Sequence, residues 1–159
     1  MSIILRAARP EDDAFLLGVY ASTRTEEMAL VPWAGEQKQA FLQMQFNAQR
    51  ESYRMQFPGA EDQVILQDAV PVGRIIVARE HDRIELMDIA LLPAYRGAGI
   101  GTTLIRDLQA EAARGDKPLR LYVESYNPAH RLYERLGFSK IGEVTFYDEM
   151  EWRAMPTNR

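Results

Sequence analysis

Residues 83–113 read RIELMDIALLPAYRGAGIGTTLIRDLQAEAA, and this stretch decides the fold. Residues 84–92 are almost wholly apolar, the pattern of a strand buried on both faces. Pro93 ends that strand, because proline cannot donate to a central ladder. Gly97, Gly99 and Gly101 follow at alternate positions, which marks backbone that needs positive φ or close approach by a ligand. From Ile100 onward Leu104, Ile105, Leu108 and Ala112 recur at three- and four-residue spacing, so a helix begins there. A glycine turn that opens a helix points several N–H groups at one spot, where the helix dipole is positive. That is an anion site, typically for phosphate.

Two nucleotide-binding readings fail on this stretch. A dinucleotide fingerprint needs Gly or Ala at its sixth position and an acid about twenty residues on; here those positions hold Thr102 and Lys117. An ATPase-type phosphate loop needs Gly-Lys, and the chain has no such pair. The run Arg96-x-x-Gly99-x-Gly101 after an apolar strand instead resembles the coenzyme A signature of the GNAT superfamily of N-acetyltransferases. A second run at 127–138, NPAHRLYERLGF, is similar to that family's other signature. Together with the strands around them the two signatures cover about residues 61–153, while the first sixty residues match in architecture only.

Composition agrees with an ordinary globular chain. The 159 residues fit a single domain over 1–159, with 47% hydrophobic and 26% charged residues. No apolar run approaches the ~20 residues of a membrane helix, and no signal-peptide pattern opens the chain, so no membrane partner and a cytoplasmic setting are expected. The absence of cysteine excludes a disulfide framework and a thiol nucleophile. A net charge of −4 with no basic run argues against nucleic acid and suits a cationic acceptor. His81 and His130 have no companion ligands at metal spacing, so no metal is assigned, and His130 reads as a surface residue.

Taken in order, Ile3, Leu5 and Ala7 alternate as a first strand. Pro10 and the acids after it start a helix expected to run to about Glu27, broken by residues 31–35. A second helix is expected over 36–57, with Phe41, Leu42, Met44, Phe46, Tyr53 and Phe57 as a broad apolar stripe. Strands are expected at 63–67 and 70–79, then the strand of the opening stretch, then one at 119–123 with Glu124 at its end. A short helix opens at Asn127-Pro128 and runs through Leu136, closed by Gly137; strands at 138–144 and 145–152 complete the chain. Residues 155–159 are expected to fray. The order matches what the resemblance implies: an α/β fold of α+β type, a mixed, mostly antiparallel sheet of about seven strands, four flanking helices and splayed central parallel strands.

The resemblance implies an acetyl-CoA-dependent N-acetyltransferase acting on a primary amine, as a monomer or homodimer. Alternatives are an idle acyl-CoA-binding protein of the same fold and an acyltransferase using another acyl-CoA. It assigns the pyrophosphate to Arg96, Gly97, Ala98, Gly99, Ile100, Gly101 and Thr102, the pantetheine arm to Ile89, Ala90 and Leu91, and a further cofactor contact to Asn127. The arm requires the parallel strands to part beyond Leu91, which a bulge would achieve. Tyr133 matches the family's general acid, the donor of a proton to the departing thiolate. Glu85 aligns with a base used by some members, and Asp88 is an acid in mid-strand; alternation sets them on opposite faces unless a bulge intervenes. Glu124 or a water relay are the remaining candidates. Trp33, Gln45, Gln49 and Tyr53 are candidates for acceptor contact, or core residues.

Overall fold

The computed structural model describes residues 2–155; the expected fraying at 156–159 lies outside them. Seven strands make one sheet: β1 (Ile3–Ala7), β2 (Glu61–Gln67), β3 (Val70–Arg79), β4 (Ile84–Leu91), β5 (Leu119–Glu124), β6 (Ser139–Val144) and β7 (Tyr147–Trp152). Their order is β1-β2-β3-β4-β5-β7-β6. The β1–β2, β5–β7 and β6–β7 pairs are antiparallel. β4 and β5 are parallel, and their ladder joins Ile84, Glu85 and Leu86 to Leu119, Arg120 and Leu121. The helices are α1 (Asp13–Ser22), α2 (Thr25–Ala29), α3 (Gly35–Gln56), α4 (Ile100–Arg114) and α5 (Ala129–Arg135).

The chain gathers into two compact units, with both boundaries inside β3 and β4. One comprises the chain up to Ile76 and Asp88–Ala98; the other comprises Val77–Met87 and the chain from Gly99 on. In the first, Leu16, Tyr20, Leu42, Phe46 and Val64 bury the facing sides of α1, α3 and β2. In the second, α4 buries Ile100, Leu104, Ile105, Leu108 and Ala112, the apolar face legible in its spacing.

The helix expected from Pro10 to Glu27 is instead a 3₁₀ turn, α1 and α2. Side chains explain the break. Ser22 Oγ donates to Val19 O at 2.7 Å and Thr23 Oγ1 to Tyr20 O at 2.6 Å, offering the last carbonyls of α1 partners other than the next turn. Five α-helices therefore stand, among the described residues, where four were expected. Met44 leaves the expected stripe of α3 at 60% exposure, and only Leu42 and Phe46 of that helix are fully buried. The apolar strand β4 is buried over Ile84–Leu86 and half-buried from Met87 on, so burial on both faces holds for its first part only.

Turn chemistry settles the hairpins. Asp68 and Ala69 both take positive φ, 48° and 70°, which matches the twist that a two-residue β2–β3 connection requires. Gly73 lies inside β3 because a Cβ there would meet Ala90 O at 2.3 Å. The β3–β4 hairpin is also irregular. Glu80 N donates to Arg83 O at one end and Leu92 N to Val72 O at the other, which leaves eight residue steps on β3 against nine on β4. The extra residue is a β-bulge, and strict side-chain alternation does not hold along the whole of β4.

Candidate functional site

The glycine segment folds as its spacing demands. Gly97 and Gly99 sit at φ 75° and 87°, and Gly99 is the N-cap of α4. The first intrahelical bond of α4 runs from Thr103 N to Gly99 O, so the amides of Ile100, Gly101 and Thr102 precede it and have no helical acceptor. A Cβ built on Gly97, Gly99 or Gly101 would meet nothing within 4 Å. The turn thus presents backbone N–H groups to open space at the positive end of a 15-residue helix, as a pyrophosphate group needs.

Arg96 is placed differently from a solvated phosphate ligand. Its Nε donates to Leu91 O at 2.9 Å and its Nη2 to Ser22 Oγ at 3.3 Å. The guanidinium therefore ties the end of β4 to the end of α1 within the first unit, and it engages a carbonyl of the stretch assigned to the pantetheine arm.

The two candidate bases have distinct surroundings. Glu85 is 5% exposed, and Arg83 Nε donates to its Oε1 at 2.8 Å. Burial raises its pKa, against the opposing pull of Arg83. In the same unit, Tyr122 hydrogen-bonds Glu149, which pushes the phenol up to about 12. Asp88, in the other unit, is half-buried. Desolvation raises its carboxyl as well, opposed first by the charge of Arg74. Arg74 itself is 3% exposed, lies 5.4 Å from the centre of the Phe46 ring and gives its fork to Asp62, at 3.0 and 2.8 Å. Asp88 therefore feels that cation while the bidentate ion pair belongs to Asp62.

Tyr133 is 8% exposed on α5, with its ring edge-on to Phe138 at a centroid distance of 5.7 Å. Asn127 stands just ahead of this helix, and its Oδ1 accepts from Ala129 N at 2.9 Å. That bond occupies an atom of the residue expected to touch the cofactor. Gly137, at φ 95°, closes the helix, and Phe138 N donates back to Tyr133 O. His130 is no surface ornament. Its two ring nitrogens lie 2.7 Å from Glu134 Oε1 and 2.8 Å from Asp148 Oδ2. Asp148 is 5% exposed and also accepts from Ser125 Oγ at 2.9 Å. Sequence spacing exposes the Glu134 contact at i,i+4; the Asp148 contact joins residues eighteen apart and had no local signal.

The remaining candidates divide. Trp33 packs edge-on against Phe41 at 5.2 Å and stays 43% exposed. Gln45 accepts from Tyr20 Oη at 3.4 Å, whereas Gln49 Oε1 is buried with no hydrogen-bond partner among the described residues. Tyr53 lines a cavity of about 540 Å³ in the first unit, together with Arg9, Arg50, Arg54, Phe57 and Asp62. Glu124 is half-buried, and its carbonyl accepts from Asn127 N. Among the described residues no group of three or more His, Cys, Asp or Glu side chains is placed to hold a metal ion.

The family model for the acetyltransferase (GNAT) domain matches residues 23–158. The chain belongs to the GNAT acetyltransferase family. Among curated proteins it is 35% identical over 71 residues to the [ribosomal protein bS18]-alanine N-acetyltransferase of Haemophilus influenzae, covering 44% of this chain and 49% of that protein. It is 39% identical over 67 residues to the mycothiol acetyltransferase of Corynebacterium glutamicum, covering 41% of this chain and 23% of that one. The matches thus span about half, or less, of the relatives' own lengths. Among solved structures, the PaiA N-acetyltransferase of Thermoplasma acidophilum in complex with coenzyme A superimposes with a TM-score of 0.72 at 22% identity, over 97% of this chain and 100% of that one. The ribosomal-protein-S18-alanine N-acetyltransferase of Escherichia coli gives 0.65 at 18% identity, over 99% and 97%. These likenesses show that the seven-stranded mixed sheet and its flanking helices are the GNAT fold. They carry the fold through the first sixty residues, where no GNAT signature was legible. Among the described residues of this GNAT chain no helix is long and apolar enough to cross a membrane.

Proposed function

We propose that this chain is an acetyl-CoA-dependent N-acetyltransferase that moves an acetyl group directly to a primary amine, its two compact units acting as one domain. The observation that carries the reading is the α4 N-terminus: three amides without helical acceptors, behind glycines whose missing side chains leave open space. Acetyl-CoA is the substrate whose pyrophosphate this end would hold, through residues 96–102, with Ile89, Ala90 and Leu91 beside its pantetheine arm. The name of the Haemophilus influenzae relative, an alanine N-acetyltransferase, supports an acetyl acceptor of the amine class.

The chemistry is nucleophilic addition and elimination. The neutral amine nitrogen attacks the thioester carbonyl, the carbon–sulfur bond breaks and the thiolate leaves. Tyr133 Oη gives that thiolate its proton, and a carboxylate takes the proton the amine sheds. Among the candidates Asp88 fits best as that acceptor: burial raises the proton affinity of Asp88 and Glu85 alike, but Glu85 is held at 2.8 Å by Arg83, whereas the fork of Arg74 is taken by Asp62. Holding both substrates in line supplies much of the rate.

The test is Tyr133→Phe, which removes one hydroxyl and keeps the ring against Phe138. Turnover should fall about tenfold to a few hundredfold, the low end for general acids because a thiolate already leaves readily. Acetyl-CoA affinity should stay within about threefold. Coenzyme A release with an accepted amine, beside direct cofactor titration, measures both. Full turnover in this variant would remove Tyr133 from the chemistry.

A further inference from the structure

His130 lies three residues before Tyr133, on the same side of α5. Both of its ring nitrogens face carboxylate oxygens, Glu134 Oε1 at 2.7 Å and Asp148 Oδ2 at 2.8 Å. A neutral imidazole has one N–H and one lone pair, so it can donate to one of these oxygens only and turns its lone pair on the other. The imidazolium donates to both. The geometry therefore calls for the protonated ring, and the pKa of His130 is accordingly raised, chiefly by Asp148 and then by Glu134.

The bond to Asp148 is the one that matters for position. It crosses from α5 to β7, where Asp148 is almost wholly buried and held by other groups too. Ser125 Oγ donates to its Oδ1, and Lys140 of β6 stands 3.5 Å from the same atom while also pairing with Glu143. Two carboxylates thus flank His130 directly, Glu134 from α5 and Asp148 from β7, with Lys140 and Glu143 next beyond. If His130 loses its proton, Asp148 keeps Ser125 and Lys140, so β7 stays in place. What weakens is the hold of β7 on α5, the seven-residue helix that carries Tyr133, because a neutral ring keeps at most one of its two bonds and loses the charge that strengthened it.

We propose that His130 is a positioning residue: as an imidazolium it braces α5 against β7 and holds Tyr133 in line, so that turnover falls when the brace deprotonates. This rests on the reading of Tyr133 as the acid. The sign follows from linkage. A raised histidine pKa contributes fully below the ordinary value near 6.5 and is lost as pH climbs through the higher folded value. The lowered pKa of Asp148, due first to His130, keeps the partner carboxylate charged throughout that range.

The experiment compares wild type, His130→Gln, Tyr133→Phe and the double variant by steady-state coenzyme A release between about pH 6 and pH 9, where a histidine titrates. His130→Gln should lower kcat about tenfold at the acid end, less than the ~100-fold that a 1 Å misplacement can cost. KM for acetyl-CoA should hold within about threefold, and the wild-type alkaline decline should vanish. Added to Tyr133→Phe, His130→Gln should change kcat by less than about twofold, because both act through one hydroxyl. Hydrogen exchange should quicken at the α5 amides and not at those of β7. Wild-type kcat in His130→Gln across the pH range, or the same fractional loss with Tyr133 already gone, would overturn the brace while leaving the acid reading standing. Full turnover in Tyr133→Phe would overturn the acid reading, and the brace with it. Asp148→Asn, which keeps the shape and removes the charge, must reproduce the loss if His130→Gln does not fold.

Discussion

Gly73→Ala is a sharp test of the packing around β4. The added Cβ would lie 2.3 Å from Ala90 O, 2.9 Å from Leu91 Cδ2 and 3.1 Å from Leu91 Cα. The Leu91 side chain can swing away, but the carbonyl of Ala90 is backbone, and relief requires one strand to move by about an ångström. Overpacking of this kind costs typically 1–3 kcal/mol, and a backbone obstacle places it near 3. Alanine also narrows the unfolded ensemble, which favours folding by about 0.4–1 kcal/mol. The clash wins, leaving a net loss of roughly 2 kcal/mol. At about 2–4 °C per kcal/mol for a chain of this size, Tm should drop by about 4–8 °C. Far-ultraviolet circular dichroism melts read it directly. Gly18→Ala is the control: it sits in α1, its Cβ would meet nothing within 4 Å, and helix propensity predicts a gain of up to about 1 kcal/mol. Because Ala90 and Leu91 belong to the stretch proposed for the pantetheine arm, acetyl-CoA should also bind more weakly to Gly73→Ala. A Gly73→Ala protein that melts at or above the wild-type temperature would show that β3 and β4 do not approach so closely, and the reasoning would fall.

Three further outcomes are expected. Acetyl-CoA at a hundredfold over its Kd should stabilise the wild type by about 2.7 kcal/mol, and Gly99→Glu should abolish that shift, since it puts a side chain at φ 87° and a negative charge at the α4 N-terminus; an undiminished shift would refute the anion site. Asp88→Asn should lower turnover and remove the acid limb of the pH profile, while Glu85→Gln, by freeing Arg83 from a buried partner, should chiefly lower Tm; exchanged effects would reverse the two assignments. Asp12, held by Arg6 at 2.8 Å and by Arg9 N, has its pKa lowered to about 2, so its contribution is present above about pH 4 and lost as pH falls through 2; acid titration of Asp12→Asn should lack that part of the transition.

What the sequence determined by itself was local. The sequence pattern put the start of α4 at about Ile100 and a strand over 70–79, where α4 and β3 stand, because these elements repeat one physical rule along their length. The glycines at 97, 99 and 137 named their own left-handed turns, since few other residues tolerate them. The two signature runs marked the glycine turn and Tyr133 as the candidates for cofactor and acid. Tertiary structure decided what depends on partners distant in the chain. Asp88 and Glu85 look alike as acids in one strand, yet one feels the charges of Arg74 and Asp62 and the other is bonded by Arg83. The split of α1 from α2 turned on which carbonyls the Ser22 and Thr23 hydroxyls donate to, a competition that propensity cannot rank. His130 read as a surface residue because its decisive neighbour, Asp148, arrives from β7; charge pairing across eighteen residues follows from where the backbone goes, and only the fold sets that.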